Sequence, residues 1–511
     1  MLAGLAALPI ALILGLMLAV RWSARDAGLV GLATALLLAW FVFGFGRTIY
    51  GDIGIPAATA GALAEATFIA ATILWIIFPA LCIHQLQLRT GGVDAIRSAL
   101  GRLSPDPRIA ALVVAWFFAL FIEGAAGFGT TIALAAPLLV SLGLTPIAAV
   151  TAALIGHAVG VSFGAVGTPV VPQIAATGLA GLEIAQTTSL FHLVLGWVMV
   201  LLTLQVIRRA LPQAPTGRRI WAWAGVAAVL FLLPMFLIAQ FIGPELPTLG
   251  GALLGALGFV AALRLTGASA QGTTPPGEGG KLLRAASPYL ALVALILLTR
   301  LLDPVRETVR SMVVGWELFD RFAGSFEPFY HPGTLLAISF VIGAVIQRAR
   351  LSDLRGAITA AALQVFGVTI ALLAMLGLSR ILVHAGMIDT MAAAAAAATG
   401  DLWPLFAPLV GVLGTFVTGS ATASNILFTD FQQATALSSD LPVIVIVAAQ
   451  GFGAAVGNII CPHNIIAGGA TVGLQGAEGE VLRRTLPACG IYVALGGLMA
   501  LLLTLGVFAA G

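Results

Sequence analysis

Glu123 stands inside an apolar run, in the segment Phe121–Thr131 (FIEGAAGFGTT), with glycines and hydroxyls on either side of it. A carboxyl in such a setting is costly and is functional by default, and burial favours its neutral form. Glu123 is therefore a candidate proton carrier. Gly124, Gly127 and Gly129 let the backbone turn tightly and approach a ligand with no Cβ in the way, and Thr130 and Thr131 add hydroxyls. A helix starting there would aim free N–H groups and the positive end of its dipole at an anion. Three further clusters share this character. Ser162–Pro172 (SFGAVGTPVVP) brings Ser162, Gly167 and Thr168, and Phe416–Asn425 (FVTGSATASN) brings Thr418, Ser420, Thr422, Ser424 and Asn425. Gly457–Asn464 (GNIICPHN) adds Asn458, His463 and Asn464. Pro169 and Pro462 each remove a backbone donor and push the preceding residue out of helix. Histidine changes charge near neutral pH, so His157 and His463 are candidates for contact with proton or substrate. Asp430, past the third cluster, is a second acidic candidate. The competing reading of such glycines is close helix packing, which suits Gly156 and Gly160 taken alone. The sequence holds no serine–histidine–aspartate order, phosphate-binding loop or metal-ligand cluster, so it points to binding and proton exchange with no cofactor or metal.

The clusters interrupt a chain that is 60% hydrophobic and 9% charged, with a mean hydropathy of +1.08. Soluble domains carry roughly 25% charged residues, so this composition is that of an integral membrane protein. Its apolar runs, about 18–25 residues each, suit helices crossing a hydrocarbon core of about 30 Å, and the alternating ten-residue segments of a β-barrel are missing. A net charge of +3 without a basic stripe gives no reason to expect nucleic acid. Cys82, Cys461 and Cys489 have neither metal nor disulfide spacing and read as small core residues. The N-terminal run lacks a basic leader and meets Arg21 and Arg25 at once, which predicts a retained first span.

The runs predict an all-α membrane protein of about twelve spans, near 3–20, 27–46, 61–83, 147–171, 189–207, 220–243, 246–264, 286–302, 333–347, 359–379, 442–465 and 486–509. Two more apolar stretches, 108–143 and 402–437, each break near the middle and predict re-entrant helical hairpins. With both termini outside, the cytoplasmic segments hold most of the 24 basic residues. These are Arg21 and Arg25; Arg89, Arg97, Arg102 and Arg108; Arg208, Arg209, Arg218 and Arg219; Arg264, Lys281 and Arg284; Arg348, Arg350 and Arg355; and Arg483 and Arg484. Six remain outside or near outer helix ends, as the positive-inside rule requires. The clusters recur at an offset of 295, which carries Gly91 to Gly386, Asp106 to Asp401, Phe121 to Phe416, Gly124 to Gly419 and Gly156 to Gly451. This predicts a first repeat over 1–210 and two linking spans with a cytoplasmic linker over 211–285 (flexible from 265). A second, inverted repeat then covers 286–511. Short amphipathic stretches near 93–103 and 388–398 precede the hairpins, a surface helix is expected within 303–332, and Glu65 reads as an interfacial charge. Paired broken segments at matching positions of inverted repeats point to the binding site of a secondary transporter. A half-helix carrier without a mid-span Arg or Lys would hold an anion by N–H groups and hydroxyls, with a proton alongside.

At these residues the chain resembles the bacterial L-lactate permease family: FIEGAAGFGT, then APLL, SFGAVGTPVVP, TGSATASNILF and GLQGAEGEVLRRTL. The resemblance runs over the whole chain and is strongest at 115–175 and 410–487. It implies proton-coupled uptake of lactate, glycolate or a similar 2-hydroxy monocarboxylate across the bacterial inner membrane, on a mobile transport domain set in a static scaffold. Three positions depart from the family's pattern. Ala421 stands where an acidic residue is expected, Asn458 and Cys461-Pro462-His463 replace a lysine and a serine-proline-glutamine run, and His157 replaces an asparagine. The implied partners are a small organic anion, the proton and the lipid bilayer, with an oligomer open. A carrier of another anion, such as a sulfonate or dicarboxylate, and an anion channel are the alternatives; a membrane enzyme is the weakest.

Overall fold

The computed structural model describes residues 1–20, 22–95, 104–127, 129–212, 219–267, 278–474 and 477–506. Arg21, most of the 93–103 stretch with Arg97 and Arg102, Phe128, Arg218 and linker residues 268–277 lie outside them. The chain is a multi-pass helical membrane protein. Among the described residues, ten helices are long and apolar enough to cross a membrane, or eleven if Gly181–Leu195 and Trp197–Ala210, bent by 46° at Gly196, form one span. That count includes the first arms of both expected hairpins. The expected spans near 3–20, 27–46 and 333–347 coincide with the shorter helices Leu2–Ala19, Ala24–Phe41 and Pro332–Ile346.

Proline and small polar caps set the helix starts around the site. Asp106 accepts from the Arg108 N–H ahead of Pro107, and Thr145 caps the helix that opens at Pro146. The first hairpin is Pro107–Ala125 and Thr130–Ser141; its first arm widens into a π-turn at Val114–Phe118. The first broken span is Pro146–Thr177, helical to His157 and interrupted around Gly164–Gly167. The second hairpin is Trp403–Thr418 and Ala421–Ser438, and the second broken span is Val443–Gly457 and Pro462–Thr471. The apolar windows of Pro107–Ala125 and of the two broken spans are 94%, 94% and 89% buried within the chain. Other spans are 39–56% buried and leave a face for lipid. Broken backbone is tolerated at membrane depth where protein surrounds it, and here it does.

Element bounds recur at the offset of 295. Adding it to Gly54–Arg89 gives 349–384, where Leu351–His384 lies; adding it to Gly181–Ala210 gives 476–505, where Glu478–Thr504 lies. Two large apolar cores divide the molecule along another line. One gathers the first hairpin, the first legs of both broken spans, the linking helices Arg219–Phe241 and Pro247–Leu265, and Glu478–Thr504. The other gathers the helices before Arg89 with Glu278–Leu301, Pro332–Ile346 and Leu351–His384.

Three expectations need correction. The stretch 303–332 holds only a short helix, Asp303–Arg310; beyond it Val314–Leu318 pairs antiparallel with Phe322–Phe326. Valine and aromatic residues favour strands, and Phe319 and Asp320 turn at positive φ (58° and 54°), as a hairpin loop needs. Helix structure already resumes at Glu278, inside the expected flexible linker. Glu65 is largely buried, accepting from the Ala323 N–H and lying 2.7 Å from Nε2 of His384, whose Nδ1 meets the Tyr50 hydroxyl.

Candidate functional site

The tips of both hairpins and both breaks meet at one cavity of about 40 Å³. One water needs about 10–15 Å³ on this scale, so the space is that of a few waters or a small solute. Of the predicted residues, Glu123, Gly127, Gly129, Ser420, Thr422 and Asn458 line it. Val161, Gly164, Ala165, Pro169, Gly419 and Ala421 line it too, though sequence reasoning had not placed them in the site. Two helices begin at its wall: Thr130–Ser141, entered through left-handed Gly129 (φ 77°), and Ala421–Ser438, capped by Ser420, whose hydroxyl accepts from the Ala423 N–H. Their N-termini put positive dipole ends on the cavity from both hairpins.

Glu123 is buried, and its Oε2 accepts from the Thr131 hydroxyl at 2.7 Å. The same Oε2 lies 4.0 Å from Nε2 of the fully buried His157. Oε1 lies over Gly164, where an added Cβ would stand 2.5 Å from it. The backbone at this break is bent sharply, with Ala165 and Val166 at positive φ (42° and 55°) followed by Gly167 at 78°. A positive φ at a β-branched residue stores strain of the order of 1–3 kcal/mol, which surrounding structure must hold in place. The Thr168 hydroxyl donates to the Ala165 carbonyl, and Asn425 Nδ2 donates to the Pro169 carbonyl at 2.8 Å. The second hairpin thus satisfies a backbone group freed at the first break.

The remaining predicted residues support this shell. Thr130 donates to the Gly127 carbonyl, Ser424 to the Gly411 carbonyl, and Asn464 Nδ2 to Asn458 Oδ1 at 2.6 Å. Gln450 Nε2 reaches Ser424 Oγ and Asn425 Oδ1, an amide link that sequence reading missed. Gly124 and Gly167 do not line the cavity. An added Cβ would meet the Leu249 backbone nitrogen at 2.5 Å in the first case and the Pro244 carbonyl oxygen at 2.6 Å in the second. His463 is exposed and lies beside Gly419. Asp430 lies on the return arm away from the cavity lining, paired with Arg380 at 2.6 Å and accepting from Ser379. Three of the positions expected to depart from the family pattern lie near one another: His157 Nε2 is 2.9 Å from Asn458 Oδ1, and Asn458 and Ala421 both face the cavity. No sequence signal pairs residues 157 and 458; only folding brings them into contact.

Broken spans and paired hairpin tips, enclosed by other helices around one small cavity that a carboxyl, two hydroxyls and an amide reach, have the layout of a membrane transporter. Residues 3–507 match the L-lactate permease family, and the chain belongs to it. It is 31% identical to the L-lactate permease of Salmonella typhimurium over 84% of each chain. It is 27% identical to the glycolate permease GlcA of Escherichia coli over 94% of this chain and 92% of that one. Among solved structures it resembles Neisseria gonorrhoeae MtrF, from a class of antimetabolite efflux pumps, with a TM-score of 0.51 and 15% identity over 95% of each chain. At that identity the likeness speaks for the fold alone.

Proposed function

We propose that this chain is a secondary carrier that takes up lactate, glycolate or a similar small 2-hydroxy monocarboxylate together with a proton across a bacterial inner membrane. The observation that carries the reading is the meeting of two helix N-termini with the Glu123 carboxyl at one cavity. The substrate carboxylate would lie against the N–H groups at Thr130–Ser141 and Ala421–Ser438, with Ser420 and Thr422 beside it. Two negative charges about 5 Å apart at an effective dielectric near 20 repel by about 3 kcal/mol, a hundredfold in affinity. A charged Glu123 therefore opposes the anion, and a proton on the Glu123–His157 pair admits it. Anion and proton then cross as a neutral unit. The relatives' names, L-lactate permease and glycolate permease, support this substrate class.

In this reading the first hairpin enters from the cytoplasm and the second from outside, both termini are outside, and the repeats cover 1–210 and 286–511. The hairpins and broken spans move against the scaffold formed by the second core. A second reading, another organic anion on the same scaffold, is favoured by Ala421 and Asn458, two departures that both line the cavity. Counterflow of radiolabelled L-lactate in proteoliposomes separates them. Competition by glycolate supports the first reading; competition by a sulfonate or dicarboxylate, with none by glycolate, supports the second.

A further inference from the structure

The amide of Asn458 faces the cavity on one side and an imidazole on the other. His157 Nδ1 is 2.8 Å from the Ala153 carbonyl oxygen, which accepts and never donates, so this nitrogen carries a hydrogen. Nε2 is 2.9 Å from Asn458 Oδ1, which also receives Asn464 Nδ2 at 2.6 Å. In this arrangement both ring nitrogens donate. His157 is then an imidazolium, with the Glu123 carboxyl 4.0 Å from Nε2 as its counter-group. When Nε2 gives up its proton, two lone pairs face each other across that contact. The conflict is relieved if Asn458 turns its amide so that Nδ2 donates to Nε2, and Asn464 turns in step to accept the second hydrogen. Both arrangements keep the hydrogen bonds that join His157, Asn458 and Asn464, so the network has two states that differ by one proton.

We infer that Asn458 transduces the proton on His157 into anion affinity, by presenting its N–H₂ to the cavity when His157 is charged and its carbonyl oxygen when His157 is neutral. A carboxylate is held by the first face and repelled by the second. The inference rests on the cavity being the anion site. Asn464 extends the network to the first hairpin, since its Oδ1 lies 3.3 Å from where a Cβ on Gly129 would stand. Among the described elements packed against the helix that ends at His157, the first hairpin brings Glu123 to 4.0 Å and Pro462–Thr471 carries the exposed His463. The charges of Trp197–Ala210 lie in its last turn (Arg208, Arg209), and those of Glu478–Thr504 (Glu478, Glu480, Arg483, Arg484) lie in its first two turns. Reciprocity of linkage requires that anion binding draw a proton onto His157 by the same factor, on the order of tenfold.

The test is proton uptake on adding L-lactate to the purified full-length protein in weakly buffered detergent solution, read with a pH indicator. Wild type takes up protons as lactate binds, and E123Q keeps part of that uptake through His157. H157Q, which keeps Glu123, takes up fewer protons than wild type, and its lactate affinity depends correspondingly less on pH. N458D, which offers acceptors on both sides, binds lactate on the order of tenfold more weakly. Wild-type proton uptake in H157Q, or wild-type affinity in N458D, overturns the inference. Histidine ¹⁵N NMR gives a readout independent of the substrate: the six histidines are few enough to assign, with H157Q marking one. Neutral His157 in the Nδ1–H form supports the network, and the Nε2–H form overturns it. Failure of lactate to bind wild type sinks the proposed substrate, while the NMR result still decides the network.

Discussion

Gly164 fixes where the Glu123 carboxyl can lie, because any side chain at 164 would occupy the place of Oε1. Gly164→Ala is expected to push the carboxyl off the cavity and cut proton-driven uptake by at least about tenfold. Surface expression should stay normal, since one methylene of overpacking costs about 1–3 kcal/mol. Uptake beside quantitative immunoblotting checks this, and wild-type uptake would show that Glu123 need not face the cavity. Asn425 has a different task at the same site: its amide satisfies the Pro169 carbonyl. Asn425→Ala leaves that acceptor unpaired and should destabilise the protein by about 1–3 kcal/mol. Thermal unfolding in detergent measures the loss, and an unchanged melting temperature would mean that the freed carbonyl finds another donor.

The hairpin turns depend on left-handed glycines. Gly419 (φ 79°) has the His463 Cβ 3.3 Å from its own missing Cβ, whereas Gly178 (φ 69°) closes a helix next to open space. Alanine costs roughly 1–2 kcal/mol in this conformation at either place. We expect Gly419→Ala to abolish uptake and Gly178→Ala to lower the melting temperature similarly while transport persists; equal loss of transport in both would assign the effect to stability. The Gly-rich tips were legible in the sequence because an apolar helix has no other reason to gather glycine, proline and hydroxyls at one level. The clusters at 121–131 and 416–425 fall where Pro107–Ala125 gives way to Thr130–Ser141 and Trp403–Thr418 to Ala421–Ser438. Gly124 was misread because a packing glycine and a binding glycine look alike in sequence; it meets Leu249, a contact 125 residues away. The β-hairpin at 314–326 was missed because charges at helical spacing outweighed the Val-Gly-Trp-Glu-Leu pattern. The pairing of Arg380 with Asp430 required the fold.

At the scale of the molecule, two apolar cores meet along the second hairpin, and the Arg380–Asp430 pair crosses from Leu351–His384 to its return arm. If the hairpins dip from opposite faces, exposed positions flanking each one must react from one side. Cysteines replacing Pro105 and Ser141 should label from the cytoplasm, and those replacing Asp401 and Asp440 from outside, in a background free of the three buried native cysteines. Labelling of Pro105 and Ser141 positions from opposite sides would turn the first hairpin into a full crossing and remove the inverted repeat. The central claim is that the cavity couples a monocarboxylate to a proton through Glu123. Uptake of radiolabelled L-lactate into proteoliposomes, with and without an inward proton gradient, tests it in wild type and Glu123→Gln. Wild type should accumulate lactate when driven by the gradient, and Glu123→Gln should lose most of that accumulation while lactate counterflow persists. Accumulation by Glu123→Gln equal to wild type, or none by wild type, would contradict it.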